Sequence, residues 1–365
     1  MQLRLEHRPE PLQAMLWLSP LIAVVLAVIG AAIIFRLLGR DPVTCLQVLF
    51  IDPLSELYSL TELALKATPL LLCAIGIAIG CRANVWNIGA EGQFTIGAIC
   101  GAGVALAFGG DDRWWVLPLM LLASVAGGLA WAGIAAFLRT KFNAHEILTT
   151  LMLTYVAIQL LGWLVHGPWQ DPDGFNFPQT RQFAANATLP LLIEGTRVNI
   201  GALIAVAAVP LGSLLLGRTL AGFRIRVVGL APGAARYAGF SEKGTVWFCL
   251  LLSGGMAGLA GICEAAGPIG QLQPIISPGY GFAAIIVAFL GRLHPVGILF
   301  ASLLMALLYL GGEGLQMSQQ LPLAATGVIQ GMLLFFLLGT DVFVQFRLRL
   351  VPARKMPVTG AVRHG

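Results

Sequence analysis

The sequence predicts an all-α membrane protein, a polytopic helical bundle of about ten transmembrane helices with inverted repeats and both termini in the cytoplasm. Charged residues make up only 11% of the 365-residue chain and hydrophobic residues 58%, whereas a soluble domain carries about 25% charged residues. Mean hydropathy is +0.85. Apolar stretches recur along the chain, and basic residues lie mainly between them. These observations exclude a soluble globular domain.

The apolar stretches define the predicted spans. A spanning helix needs about 20 residues, because the hydrocarbon core is about 30 Å thick. No alternation typical of strands persists, and backbone groups in lipid must be satisfied within helices. The stretch 279–291 is too short to cross alone, and 295–312 and 322–340 are near the lower limit. The predicted spans are 12–38, 57–80, 85–108, 114–138, 147–165, 200–217, 245–266, 279–291, 295–312 and 322–340.

The distribution of basic residues orients these spans. With the N-terminus inside, sixteen of the 22 Lys and Arg residues fall in inner segments and five in outer segments. Short cytoplasmic loops carry such an excess in membrane proteins. The chain is therefore divided into a cytoplasmic N-terminus 1–11, a transmembrane domain 12–340 and a cytoplasmic tail 341–365. Within the transmembrane domain, 166–199 is predicted to be a periplasmic loop and 218–243 a cytoplasmic loop.

The chain lacks the residue patterns of several catalytic and binding sites. None of its lysines follows a glycine, so it has no G-x-x-x-x-G-K-[ST] phosphate-binding loop. The cysteines include no C-x-x-C pair, and the histidines are dispersed. Basic residues are not clustered with aromatic residues, as nucleic-acid binding would require. We expect no catalytic residue, no metal site, no cofactor bound by this chain and no nucleic-acid partner.

Two glycine-interrupted polar segments mark a candidate pathway through the membrane. The first, at 84–93, contains Glu91, and the second follows Glu264 and includes SPGYGF at 277–282. Charged side chains inside spans usually face a cavity, and broken helices are tolerated where they line protein or water. One break begins near the inner face and the other near the outer face, as inverted repeats around a midplane site would place them.

Six residues of these segments are candidate pathway residues: Trp86, Asn87, Glu91, Gln93, Tyr280 and Phe282. Two alternatives remain open at this point. The glycines are also consistent with close helix packing. Glu91 could equally pair with backbone amides at a helix N-terminus.

The inner loop 218–243 is basic and contains a second candidate site. Pro232 suits the first turn of a short helix, and Gly239 suits its end. A short basic helix lying outside the bilayer on the cytoplasmic face is therefore predicted.

Nine segments, in order across nearly the whole chain, carry a resemblance to a known family. They resemble the permease subunits of ATP-binding cassette (ABC) importers of the nucleoside and simple-sugar branch, within the branched-chain amino acid and ribose permease family. The combination of NIGAEGQ followed by AARYAG is the most specific part. The segments are KATPL (66–70), NIGAEGQ (87–93), ILTTLMLTYVA (147–157), GPWQDP (167–172), RTLAGFRIRVVG (218–229), AARYAG (234–239), SPGYGF (277–282), LGRLHPVGI (290–298) and GGEGLQ (311–316).

The resemblance implies a transport subunit of the inner membrane rather than an enzyme. It implies that a separate ATP-binding cassette ATPase, which holds ATP and Mg²⁺, docks on the cytoplasmic loop. A periplasmic or lipoprotein substrate-binding protein, a second homologous permease and membrane lipid are the other implied partners. The expected solutes are nucleosides, ribose-containing compounds or simple sugars. The residues implied in coupling are Arg226, Gly229, Pro232, Ala235, Arg236 and Gly239.

The chain departs from the family pattern at one coupling position. Ala231 precedes Pro232, where the family usually has Asn. Loss of an Asn cap weakens a helix start by about 0.5–2 kcal/mol. For a neutral nucleoside, Asn87 and Gln93 could hydrogen-bond the solute, and Trp86 or Phe282 could stack on its base. The alternative function is an ion-coupled secondary transporter, which the broken helices and Glu91 would also fit.

Overall fold

The computed structural model describes residues 2–7, 13–109, 113–322 and 324–351. Parts of the predicted N-terminal segment 1–11 and of the tail 341–365 therefore lie outside the described residues. The helices are α1 (Gln13–Leu37), α2 (Pro42–Phe50), α3 (Asp52–Ser55), α4 (Leu57–Arg82), α5 (Ala90–Phe108), α6 (Val116–Phe142), α7 (Glu146–His166), α8 (Ile200–Arg218), α9 (Leu220–Leu230), α10 (Pro232–Tyr237), α11 (Glu242–Glu264), α12 (Tyr280–Leu290), α13 (Pro295–Gln319) and α14 (Ala324–Gln345).

The polytopic helical class is confirmed. In the described part of the chain, nine helices are long and apolar enough to cross a membrane. The helix α12 has only 11 residues. At a rise of about 1.5 Å per residue it covers roughly 16 Å, about half the hydrocarbon core. The irregular segment 270–279 precedes it, and a tenth crossing at this place stays a prediction.

The bounds of α5 and α13 differ from the prediction. The helix α5 begins at Ala90 rather than at 85, because 83–89 is irregular and Asn84 has a positive φ of 58°. The helix α13 continues to Gln319, so the predicted end at 312 was wrong. The GGEG sequence stays helical because Gly311 packs directly on the backbone of Leu49. The short helices α2 and α3 between α1 and α4 were not predicted.

The start of α2 shows why a helix forms there. Asp41 is its N-cap, and its carboxylate accepts hydrogen bonds from the backbone nitrogen of Thr44 at 2.9 Å and from its hydroxyl at 2.6 Å. Pro42 occupies the first turn, where its missing N–H is not needed. These hydrogen bonds from Thr44 lower the pKa of Asp41 below its usual range.

The helices α4, α5 and α11 form the centre of the bundle, and α1, α7 and α8 lie at its periphery. Close approach at the centre depends on glycine. A Cβ on Gly97 would overlap the backbone of Gly258, and one on Gly128 would overlap that of Gly254. Small residues allow helices in lipid to pack through their backbones. The glycines at these two crossings lie outside the two broken segments, so the packing alternative for the glycines of those segments stays a prediction.

A two-stranded antiparallel sheet joins β1 (Gln2–His7) to β2 (Phe346–Val351), with Gln2 opposite Val351. The sequence analysis predicted no strand, since each segment is only six residues long. The pairing places both ends of the described chain side by side. Their common location in the cytoplasm stays a prediction.

Candidate solute pathway and coupling surface

The two broken segments meet at one junction, between the first turn of α5 and the first turn of α12. A Cβ on Gly281 would overlap the backbone of Ala90 and Glu91. The Glu91 carboxylate accepts a hydrogen bond from the backbone nitrogen of Gly281 at 2.6 Å. The first turn of a helix has unpaired N–H groups and a partial positive charge. Glu91 therefore pairs with backbone amides, although they belong to α12 rather than to its own helix.

The side-chain amides of Asn87 and Gln93 form hydrogen bonds with each other inside the protein. The Asn87 amide nitrogen donates to the Gln93 side-chain oxygen at 2.7 Å, and the Gln93 nitrogen donates back to the Asn87 oxygen at 3.1 Å. Asn87 also donates to the Ser253 hydroxyl at 2.9 Å and accepts from the Gly89 backbone nitrogen at 3.1 Å. Both amides are buried. The pair therefore holds the break before α5 in place against α11.

The three aromatic candidates lie apart. Trp86 stacks on Phe289 near the end of α12, with ring centroids 5.6 Å apart and planes 21° from parallel. Tyr280 is buried at the start of α12. Phe282 is 39% exposed. The structure thus brings Glu91, Gln93, Asn87 and Tyr280 towards the junction. Trp86 packs near the far end of α12, and Phe282, on the first turn of α12, is partly exposed.

A group of charged residues lies beside the junction, near the start of α4 and towards the end of α13, and is here named the outer charge cluster because the predicted orientation places these helix ends outside. Lys66 and Glu313 form an ion pair at 2.7 Å between these helices. Glu62 accepts two hydrogen bonds from Arg197, at 2.9 and 2.5 Å. Glu264, at the end of α11, interacts electrostatically with both pairs. The cluster comprises Glu62, Lys66, Arg197, Glu264 and Glu313.

Sequence reasoning identified only part of this cluster. The sequence analysis named Glu264 beside the second broken segment, and Lys66 is the first residue of the KATPL segment. Glu62 lies four residues before Lys66, on the same helix face, and this spacing is a usable signal. Glu313 lies inside the GGEGLQ motif. Its partner is 247 residues away, so no local pattern indicates the pairing. The hydrogen bonds to Glu62 raise the pKa of Arg197, which lies just before α8.

The predicted short helix of the basic loop is confirmed as α10. Pro232 is its first residue, and Gly239 follows its end with a φ of 76°. Ala231 precedes it without a side-chain cap. Ala235 is buried, whereas Arg236 points outward and pairs with Glu242 at 2.9 Å. The helix therefore exposes Arg236 to solvent and packs on the bundle through one small residue, Ala235.

The helix α9, which was not predicted, connects α10 to the bundle. Gly229 packs directly on the carbonyl of Arg82, the last residue of α4. The Arg82 side chain donates to the carbonyl of Leu293 at 3.0 Å, in the turn between α12 and α13. Arg226, by contrast, is exposed. The large exposed apolar residues of α9 and α10 are Leu220, Phe223, Leu230 and Tyr237.

Hydrogen bonds also connect α1 and α14 to the turn between α12 and α13. Arg292 donates to Asp341 at 2.8 Å and also contacts Ser19. The Ser19 hydroxyl donates to Asp341 at 2.6 Å. The connections therefore run from α10 through α9 and α4 to the turn before α13, and from there to α1 and α14.

Comparison with known proteins agrees with this architecture. Residues 59–338 match the family described as branched-chain amino acid transport system / permease component. The glucose ABC transporter permease protein TsgB13 of Haloferax volcanii is 37% identical over 93% of this chain and 92% of its own length. The nucleoside ABC transporter permease protein NupB of Lactococcus lactis is 31% identical, covering 88% and 90%.

The guanosine ABC transporter permease protein NupP of Bacillus subtilis is 28% identical, covering 87% of this chain and 92% of that protein. The family match extends from α4 to α14 and includes both broken segments and the α9–α10 unit. The relatives are transport components rather than enzymes. The chain therefore belongs to the branched-chain amino acid transport system / permease component family, as a multi-pass permease subunit of an ABC transporter in the plasma membrane.

Proposed function

We propose that this permease imports nucleosides or related ribose-containing or simple-sugar solutes by alternating access. The observation that carries the proposal is the near full-length similarity to permeases named for glucose, nucleosides and guanosine. All of these solutes are rich in hydroxyl groups and are uncharged, so a site for them needs no side chain of opposite charge. The α5–α12 junction carries neutral amides, the type of side chain that such solutes need, and in this structure Asn87 and Gln93 bind each other.

Energy comes from outside this chain in the proposed mechanism. An ABC permease associates with an ATPase, and α10 is the surface on which we place that subunit with its ATP and Mg²⁺. Exposed Arg236 and Tyr237 face outward, while buried Ala235 fixes the helix to the bundle. Closure of the ATPases would push α10 and α9. The contact of Gly229 with Arg82 offers a direct route for that movement into α4.

The remaining partners belong to the outer face and to the bundle surface. The outer loop 166–199 is anchored where Thr180 and Leu272 exchange hydrogen bonds at 3.0 Å, and it exposes Phe175 and Phe177. This supports docking of a substrate-binding protein, either periplasmic or a lipoprotein. We further propose that a second homologous permease completes the pathway and that lipid covers the peripheral helices.

The test is uptake of a labelled nucleoside and labelled glucose by cells that carry the complete transporter. Arg236→Glu reverses the charge on α10, and we expect it to reduce the initial uptake rate at least about tenfold, which is a coupling loss of about 1.4 kcal/mol. Loss of its exposed ion pair with Glu242 costs little stability, about 0–1 kcal/mol. The amount of permease in the membrane should therefore be unchanged.

Lys141→Glu is the matched control, because Lys141 is exposed at the end of α6 and outside the α9–α10 unit. It should leave uptake near the wild-type rate. Unchanged uptake in Arg236→Glu would refute coupling through α10. Wild-type cells that import neither solute would refute the proposed solute class.

A further inference from the structure

Three polar side chains lie close together between the junction and the outer charge cluster. They are Tyr280 at the start of α12, Tyr309 on α13 and Gln330 on α14. The rings of the two tyrosines meet edge to face, with centroids 5.4 Å apart and planes at 71°. The Gln330 amide lies near the Tyr309 hydroxyl, but its Nε2 does not reach hydrogen-bonding geometry with it. These three residues are named the tyrosine–amide site below.

The site connects the two polar regions already described. Tyr280 interacts electrostatically with Glu91 at the junction and with Glu264 and Glu313 in the outer charge cluster. Tyr309 precedes Glu313 by four residues, which is one turn of α13, so both side chains lie on the same helix face. Phe94 closes the other side of Tyr280, with centroids 6.4 Å apart. A solute that passes the outer charge cluster towards the junction would meet these tyrosines first.

The second observation is an unused hydrogen-bond donor. Gln330 is only 9% exposed, and its Nε2 makes no hydrogen bond within the described structure. Burial of an amide in an apolar medium without a partner is unfavourable, and lipid offers no acceptor. Gln93, the other buried glutamine of the junction, has its nitrogen paired with Asn87. Gln330 is thus the donor that remains available beside two aromatic rings.

We propose that Tyr280, Tyr309 and Gln330 form an intramembrane binding site for a neutral ring that carries hydroxyl groups, such as a pentose or hexose. This inference rests on the proposed function and assigns residues to it. The rings of Tyr280 and Tyr309 pack against the apolar face of the sugar. Gln330 Nε2 and the Tyr309 hydroxyl each donate to a solute hydroxyl, and the ion pair of Lys66 with Glu313 borders the side of the site towards the outer charge cluster.

The experiment measures initial uptake rates at saturating solute in cells with the complete transporter, for Tyr309→Phe and Gln330→Leu. Saturating solute keeps the substrate-binding protein loaded, so the rate reports on steps in the permease. Loss of one neutral hydrogen bond predicts a fall of about three- to tenfold for each variant. Tyr155→Phe and Gln47→Leu are matched controls at exposed positions of α7 and α2. Both controls should transport at the wild-type rate.

A set of monodeoxy analogues of the transported solute separates binding from a structural effect. One analogue lacks the hydroxyl that Gln330 binds. The wild-type protein should transport this analogue as slowly as Gln330→Leu transports the parent solute. Gln330→Leu should transport the analogue and the parent solute at the same rate. Equal losses from every analogue in both proteins would overturn the proposal. Tyr309→Phe keeps the ring and its packing, so it tests the site even if Gln330→Leu fails to reach the membrane.

Normal uptake in both variants would also overturn the site and would mean that Gln330 binds a trapped water only. That outcome leaves the proposed function intact, because wild-type cells would still import the solute. Failure of wild-type cells to import any pentose, hexose or nucleoside would instead refute the proposed function together with the site.

Discussion

Glu91 shows at the residue scale how a charge is accommodated inside this bundle. Its carboxylate lies on the first turn of α12 and accepts from Gly281 at 2.6 Å. The sequence indicated that Glu91 either lines a pathway or pairs with backbone amides. It could not indicate which helix supplies those amides, because Gly281 is 190 residues away. The pairing depends on tertiary structure, which no local spacing reveals.

Neutralising Glu91 should weaken the junction. Glu91→Gln keeps an acceptor for Gly281 but loses the attraction between a carboxylate and a helix N-terminus, which is worth about 0.3–2 kcal/mol. We expect a lower unfolding temperature of the detergent-solubilised protein. Glu194→Gln, at an exposed loop position, should leave it unchanged. Equal unfolding temperatures for Glu91→Gln and wild type would contradict this role for the charge.

Gly281 itself should tolerate no side chain. A Cβ there would overlap the backbone of Ala90 and Glu91, and neither can move as a flexible side chain could. We expect Gly281→Ala to reduce the amount of folded protein in the membrane by more than half. Gly331→Ala is the control, because a Cβ at Gly331 meets open space in α14. Alanine there should stabilise the helix by up to about 1 kcal/mol. Folded yield is read from the monodisperse fraction in size-exclusion chromatography.

At the scale of elements, the sequence predicted the long helices well because each is a continuous apolar stretch. It was less successful where glycine and polar residues are interspersed. The GGEG sequence remains helical in α13 because Gly311 faces the backbone of Leu49, a contact that only the fold can supply. The segment 83–89, with two asparagines and one glycine, interrupts the helical structure before α5. Composition alone does not distinguish these outcomes.

The ion pair between α4 and α13 should contribute measurable coupling between these helices. Lys66 and Glu313 have side-chain exposures of 17% and 40%, so solvent screens the pair only in part. In a double-mutant cycle with Lys66→Met and Glu313→Gln, we expect a coupling energy of about 1 kcal/mol. The exposed pair of Arg236 and Glu242, at 73% and 44%, should give a coupling near zero. Both cycles are measured by thermal unfolding, and equal values would contradict the prediction.

At the scale of the whole molecule, contacts connect the ends of several helices that the predicted orientation places on the cytoplasmic side. The helix α9 touches α4 at Gly229, and Arg82 of α4 binds the turn before α13. From that turn, Arg292 reaches Asp341 of α14. Sequence patterns located α10 and its boundaries, but the connection through α9 was not predicted. It depends on contacts between segments far apart in the chain, and these have no periodic signature.

Disturbing this connection should separate ATP hydrolysis from transport. A Cβ at Gly229 would overlap the carbonyl of Arg82 and push α9 away from α4. In the reconstituted complex, we expect Gly229→Ala to retain most ATP hydrolysis while uptake falls at least about tenfold, a coupling loss of about 1.4 kcal/mol. Gly217→Ala, where a Cβ meets nothing within 4 Å, should change neither activity. A parallel loss of both activities would argue against a coupling role.

The pairing of β1 with β2 has a consequence for how the gene could be rearranged. Since Gln2 lies opposite Val351, the described backbone is almost a closed ring. Proteins whose ends are adjacent commonly tolerate circular permutation. A permuted chain that joins these ends through a short linker and opens at Gly195, whose surroundings are empty, would keep every helix beside its present neighbours. The linear order of the segments is thus one of several that are compatible with this arrangement of helices.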